Sequence, residues 1–68
     1  MRYNLIVARE ATKLTPAKVS DILGISERMY RYIEAGTRNG NYVIWDELED
    51  LFKISQRQLR ENSPSEKN

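Results

Sequence analysis

Apolar residues recur along the chain at helical spacing, with positions three and four apart sharing one face. No segment of useful length alternates apolar and polar residues in the manner of a half-buried strand. The pattern therefore predicts a compact all-α domain over residues 1–61 and a polar tail, residues 62–68, that we expect to be disordered. The five predicted helices run from Tyr3 to Thr12, Pro16 to Leu23, Glu27 to Ala35, Tyr42 to Phe52 and Gln56 to Glu61.

The boundaries of the second and third helices have clear local signals. Thr15 can cap the exposed amides at a helix start, and Pro16 suits the first helical position because its missing N–H has no partner there. Gly24 ends the second helix, Ser26 caps the third, and Gly36 ends it. These signals predict two helices joined by a short turn.

The same periodicity predicts the core. Each helix should turn one apolar stripe inward, and the charged side chains of the fourth helix should lie on its opposite face. The residues expected to face inward include Leu5, Ala8, Thr12, Val19, Ile22, Leu23, Tyr30, Ile33, Ile44, Trp45, Leu48, Leu51, Phe52 and Leu59.

The third helix carries two arginines and two tyrosines, and a helical wheel separates them. Ile33 should face the core, and Tyr30, three residues earlier, lies on the same side. Arg28, Arg31 and Tyr32 fall on the opposite side. Guanidinium groups match guanine edges and phosphates, so this face suits DNA, with an ordinary solvated surface as the alternative.

Composition narrows the function classes. The chain has 68 residues, enough for one domain, and contains neither cysteine nor histidine. Disulfides, thiolate metal sites and the usual general base are therefore excluded, and we expect no enzyme activity, no metal and no cofactor. The apolar runs are too short for a membrane span, and the first residues show no signal-peptide pattern. We expect a soluble protein of the cytoplasm that has no membrane partner.

The charge is unevenly distributed. Residues 1–38 carry seven Lys/Arg and four Asp/Glu, a net +3, whereas residues 39–68 carry four and six, a net −2, which together give the formal net charge of +1. The acidic residues of the fourth helix have the spacing of a solvated face, which we prefer to an acid–base or metal cluster. We expect the first half of the chain to build the basic side of the molecule.

The stretch "LTPAKVSDILGISERMYRYIEAGTR", residues 14–38, resembles the helix-turn-helix of the phage lambda repressor/Cro-like family. That family has a Leu-Thr pair, a helix, an apolar-Gly-apolar-Ser turn and a second helix that closes in Ile-Glu-x-Gly-x-Arg. The stretch "LFKISQRQL", residues 51–59, is similar to the junction of the family's fourth and fifth helices. The resemblance covers roughly residues 3 to 61, and its specificity lies in the combined order and spacing.

The resemblance implies a five-helix lambda-repressor-like domain that places its third helix in the major groove of operator DNA. It implies base contacts from Glu27, Arg28, Met29, Arg31 and Tyr32. It implies phosphate contacts from Thr15, Pro16, Ala17, Lys18, Arg38 and Asn39. It also implies a structural salt bridge between Arg9 and Glu34.

Two functions follow from the resemblance. The first is a small Cro-like regulator of a phage or prophage that binds operator DNA in the bacterial host, with a homodimer expected on a palindromic site. The second is an antirepressor or modulator that binds the cognate repressor and alters its operator binding. The second is suggested by Pro16, where the family commonly has glutamine, and by Glu27, which repels phosphates.

Overall fold

The computed structural model describes residues 1–60, and this part of the chain folds into five helices without a strand. The helices are α1 (Tyr3–Ala11), α2 (Pro16–Leu23), α3 (Glu27–Ala35), α4 (Tyr42–Phe52) and α5 (Gln56–Leu59). The predicted all-helical class is confirmed. Helix α1 ends one residue earlier than predicted and α5 two residues earlier, while the predicted disordered tail lies outside the described residues.

One core unites the five helices. α2 packs mainly against α3, and the short α5 packs against both α1 and α4. The indole of Trp45 and the ring of Tyr30 are its largest fully buried side chains. The buried apolar residues are Leu5, Ala8, Val19, Tyr30, Ile33, Ile44, Trp45, Leu48, Phe52 and Leu59.

Two of the residues expected to face inward do not. Ile22 is 47% exposed, because the buried positions of α2 are Val19 and Ser20. At about 100° per residue, Ile22 lies roughly 60° beyond Val19 on the side away from Ser20, whereas Leu23 falls between the two and packs against the core. Thr12 is exposed because α1 has already ended and Thr12 is its C-cap.

None of the helices within residues 1–60 combines the length and apolar character that crossing a lipid bilayer requires.

Candidate nucleic-acid interface

The start of α2 is an exposed helix N-terminus with its cap in place. The Thr15 hydroxyl accepts a hydrogen bond from the backbone N–H of Lys18 at 3.1 Å, and Pro16 occupies the first turn. Thr15, Ala17 and Lys18 are exposed, and Pro16 is half-buried. The positive end of the helix dipole and the lysine charge therefore lie together at the surface.

A tight turn joins α2 to α3. Gly24 ends α2 in the left-handed region at φ 74°, a conformation that costs glycine little. Ile25 anchors the turn against the core, and its N–H donates to the carbonyl of Ser20 at 3.0 Å. The Ser26 hydroxyl then accepts from the N–H of Met29 at 3.1 Å and caps α3. Both ends of the turn are thus fixed, which sets the direction in which α3 leaves it.

The inner face of α3 is fastened to α1 by a small polar cluster. Arg9 Nε lies 2.5 Å from Glu34 Oε2, and the Tyr30 hydroxyl donates to the same oxygen at 2.6 Å. Arg9 Nη1 also donates to the carbonyl of Leu14 at 2.9 Å. The side chains of Arg9 and Glu34 are only 12% and 11% exposed. The implied pair of Arg9 and Glu34 is therefore present, and Tyr30 completes it.

This cluster changes the acid–base behaviour of its members. Burial of the Tyr30 ring, reinforced by the hydrogen bond to Glu34, raises the pKa of Tyr30 well above its usual range. For Arg9, burial disfavours the charge, but the hydrogen bond and attraction of Glu34 outweigh it and raise the pKa of Arg9. Tyr30 is therefore a neutral donor and Arg9 a cation near neutral pH.

Replacing Tyr30 with phenylalanine should reveal the titration of this tyrosine. Because its folded pKa lies above its unfolded value of about 10, the stability it contributes is complete below pH 10. Above pH 10 that contribution falls by about 1.4 kcal/mol per pH unit, since unfolding then releases a proton. We expect Tyr30→Phe to cost about 1–2 kcal/mol at pH 7 and clearly less at pH 11.

Urea denaturation at pH 7, 10 and 11 measures this effect, with Tyr42→Phe as the control because Tyr42 is 72% exposed. The control should follow the wild-type pH dependence. A cost of Tyr30→Phe that stays the same at all three pH values would contradict the assignment.

The outer face of α3 gathers Arg28, Tyr32 and Arg38 into one exposed group. Arg28 Nε donates to the Tyr32 hydroxyl at 3.3 Å across one helical turn. Arg38, in the loop that follows α3, lies with its guanidinium carbon 5.8 Å from the centroid of the Tyr32 ring. Arg28 and Tyr32, which are implied as base contacts, thus lie together with Arg38, which is implied as a phosphate contact.

Glu27 and Arg31 share the outer face of α3 as an ion pair. Arg31 Nη2 lies 2.6 Å from Glu27 Oε2, and its Nε donates to the same oxygen at 3.0 Å. The side chains of Arg31 and Glu27 are 61% and 43% exposed, so water screens the pair and its net worth is about 0.3–0.5 kcal/mol. Breaking this ion pair, so that either side chain can contact a ligand, therefore needs little free energy.

The remaining implied contact residues are less uniformly placed. Met29 is half-buried and packs against the core, so part of its side chain stabilises the position of α3. Asn39 is exposed, but its side-chain oxygen accepts from Arg2 Nη2 at 3.0 Å and its carbonyl accepts from the indole N–H of Trp45 at 2.5 Å. Asn39 thus already holds the loop in place.

Arg2 is the residue that the sequence did not reveal. It is buried, and its Nη1 donates to the carbonyls of Ile33 at 2.6 Å and Arg38 at 3.0 Å. Its own backbone N–H donates to the carbonyl of Glu34 at 2.8 Å. A cation at the C-terminal end of α3 also complements the helix dipole. Arg2 therefore ties the end of α3 to the loop that carries Arg38 and Asn39.

Comparison with known proteins found no family model, no curated protein and no solved structure that matches this chain.

Proposed function

We propose that the protein is a small transcriptional regulator of the lambda repressor/Cro-like helix-turn-helix class, which reads double-stranded operator DNA with α3 in the major groove. The observation that carries the proposal is the outer face of α3, on which Arg28, Arg31 and Tyr32 are exposed together. Arginine donates to guanine O6 and N7, and the tyrosine ring can contact a thymine methyl group.

The way in which α3 is anchored in the fold supports the proposed role of this helix. The helix is fixed by the Ser26 cap at its start, by Tyr30 and Ile33 in the core, and by Arg2 at its end. A reading helix must hold its side chains in register with the base pairs, and a helix anchored at three points along its length does so.

Phosphate contacts are available on both sides of α3. The N-terminus of α2 offers the backbone N–H of Ala17 beside the exposed Lys18, and the loop after α3 offers Arg38. These groups would position the domain on the duplex backbone, while the outer face of α3 supplies sequence selectivity. The Glu27–Arg31 pair opens at little cost, which frees Arg31 for the DNA and leaves Glu27 to accept from a cytosine amino group.

A binding titration with DNA from the promoter region of its own gene tests the proposal. We expect sequence-selective binding that weakens steeply between about 50 and 200 mM salt, because counterions are released from phosphates. Arg28→Ala should cost about 1–3 kcal/mol of binding free energy and relax selectivity at one base position.

Arg57→Ala serves as the matched control, since Arg57 is an exposed arginine on α5, which packs on α1 and α4. The control should bind like the wild type. Equal affinity of Arg28→Ala and the wild type for the operator would remove Arg28 from the reading face. Absence of any selective binding would remove the proposal.

A modulator that binds the cognate repressor is the second candidate function. The Glu27–Arg31 pair supports it, because it halves the free positive charge that α3 offers to phosphates. Exposed Tyr42 and Val43 on the acidic helix α4 also support it, since apolar side chains with an acidic surround suit a basic protein surface. Co-elution with the repressor, without selective DNA binding by the protein alone, would favour this function.

A further inference from the structure

A polar cavity lies beside the core, away from the outer face of α3. It has a volume of about 320 Å³, which is at the small end of ligand pockets. The loop after α3, helix α4 and the residue that follows α5 surround the cavity. Arg2, the residue that precedes α1, also lines it. The lining residues are Arg2, Asn39, Gly40, Trp45 and Arg60.

Among residues 1–60, the side chains that line this cavity carry two positive charges and no negative one. The guanidinium carbons of Arg2 and Arg60 lie 5.2 and 5.3 Å from the centroid of the Trp45 ring. Within residues 1–60, the ion pairs are Arg9 with Glu34 and Arg31 with Glu27, so neither cavity arginine has a carboxylate partner there. Arg60 Nη2 donates a long hydrogen bond to the Gln56 side-chain oxygen at 3.4 Å.

Arg2 carries an unused donor. The residue is only 7% exposed, and its Nε is buried without a hydrogen-bond partner among residues 1–60, although both terminal nitrogens donate to protein oxygens. A buried donor left unsatisfied is costly, and more so in a charged group. Burial and the nearby charge of Arg60 lower the pKa of Arg2, so the site is poised to gain stability from an anion.

We propose that this cavity binds a phosphate group, held between Arg2 and Arg60 against the edge of the loop at Asn39. A carboxylate is planar and singly charged, so it matches one guanidinium fork. A tetrahedral phosphate presents oxygens in several directions, so it can bridge both arginines. It carries one negative charge as a diester and about 1.5 to 2 as a monoester near neutral pH. The indole N–H of Trp45 is already donated to Asn39, so Trp45 forms a wall of the site.

The site is separate from the face proposed to read bases. Arg60 lies beyond α5 and is not among the residues expected to contact DNA, whereas Asn39 at the cavity edge is. Because phosphate binding is measured without DNA, the two proposals still fail independently. They are connected through the backbone, because Arg2 also donates to the carbonyl of Arg38. A phosphate drawn onto Arg2 would therefore act on the loop that carries Arg38.

The fluorescence of Trp45 reports binding directly, because it is the only tryptophan in the sequence. The full chain is titrated with inorganic phosphate, while sodium chloride keeps the ionic strength constant. We expect a saturable change with half-saturation at about 1 mM or below. In protein labelled with nitrogen-15, the NMR resonance of the Arg2 Nε–H should shift with phosphate concentration and give the same half-saturation as the fluorescence.

Arg60→Gln removes one of the two charges without disturbing the end of α3, and we expect it to weaken phosphate binding roughly tenfold or more. Arg57→Gln is the matched control, because Arg57 is an exposed arginine three residues before Arg60 and does not line the cavity. A response that chloride reproduces, that fails to saturate, or that persists unchanged in Arg60→Gln would overturn the proposal.

The source of the phosphate is resolved by repeating the DNA titration with Arg60→Gln. If the site receives a small phosphorylated molecule, the variant should bind DNA like the wild type. If the site receives a backbone phosphate of DNA, the variant should lose DNA affinity, and free phosphate should compete at constant ionic strength. Both results presuppose the saturable phosphate binding described above.

Discussion

Glu34→Ala should destabilise the domain by about 3–5 kcal/mol, as expected when one partner of a buried ion pair is removed. The substitution removes the partner of Arg9, which then remains as a nearly buried, uncompensated charge, and it takes away the acceptor of the Tyr30 hydroxyl. In a domain of this size, each kcal/mol corresponds to about 4–8 °C in melting temperature. Thermal unfolding followed by circular dichroism should therefore show a fall of well over 10 °C.

Glu27→Ala is the matched control for this result. It removes a glutamate from the same helix and also separates it from an arginine, but the pair is exposed. We expect a loss of no more than about 1 kcal/mol, including the interaction of Glu27 with the helix dipole.

A double variant, Arg9→Met with Glu34→Leu, separates pairing from packing. Replacing both charges by apolar groups should recover much of the loss, because no charge then remains buried alone. Equal melting temperatures for Glu34→Ala and Glu27→Ala would show that the Arg9–Glu34 pair contributes nothing special.

Arg2→Leu should cost about 2 kcal/mol of folding stability. Leucine keeps an apolar contact with Trp45, but the donors to the carbonyls of Ile33 and Arg38 and to the Asn39 side chain are lost. The carbonyl of Ile33 still accepts from the N–H of Gly36, which limits the penalty. Part of the loss is also offset, because a buried cation is removed.

Urea denaturation measures this loss, and Arg60→Leu is the control. Arg60 lies over the same indole ring but is exposed, and its hydrogen bond to the Gln56 side chain is long, at 3.4 Å. We expect the control to stay within about 0.5 kcal/mol of the wild type. If the two variants are equally stable, the hydrogen bonds from Arg2 to the loop are not what holds the end of α3.

The helices could be predicted closely because their signals are local. Thr15, Gly24 and Ser26 each act within a few residues of their own position, so spacing alone places the ends of α2 and the start of α3. The exposure of Arg28 and Tyr32 also followed from the sequence. One buried residue, Ile33, fixes the rotation of a regular helix and thereby the direction of all its side chains.

Other features depend on which elements meet in space, and spacing along the chain does not carry that information. Arg2 has the sequence context of an ordinary surface charge, and its burial arises only when the end of α3 folds over it. Arg2 and Arg60 lie near opposite ends of the described chain, yet both guanidinium groups lie over the Trp45 ring. Ile22 was misplaced for the same reason, since a two-turn helix can rotate slightly without breaking its pattern.

The hydrogen bonds of the Arg2 side chain join residues that are 31, 36 and 37 positions apart, whereas the helix caps join residues three apart. Contacts between positions far apart in the sequence cost more loop-closure entropy, so they tend to form after the local contacts have formed. By this reasoning the bonds of Arg2 form late, on the native side of the folding barrier. We therefore expect these hydrogen bonds to slow the unfolding rate and to have little influence on the folding rate.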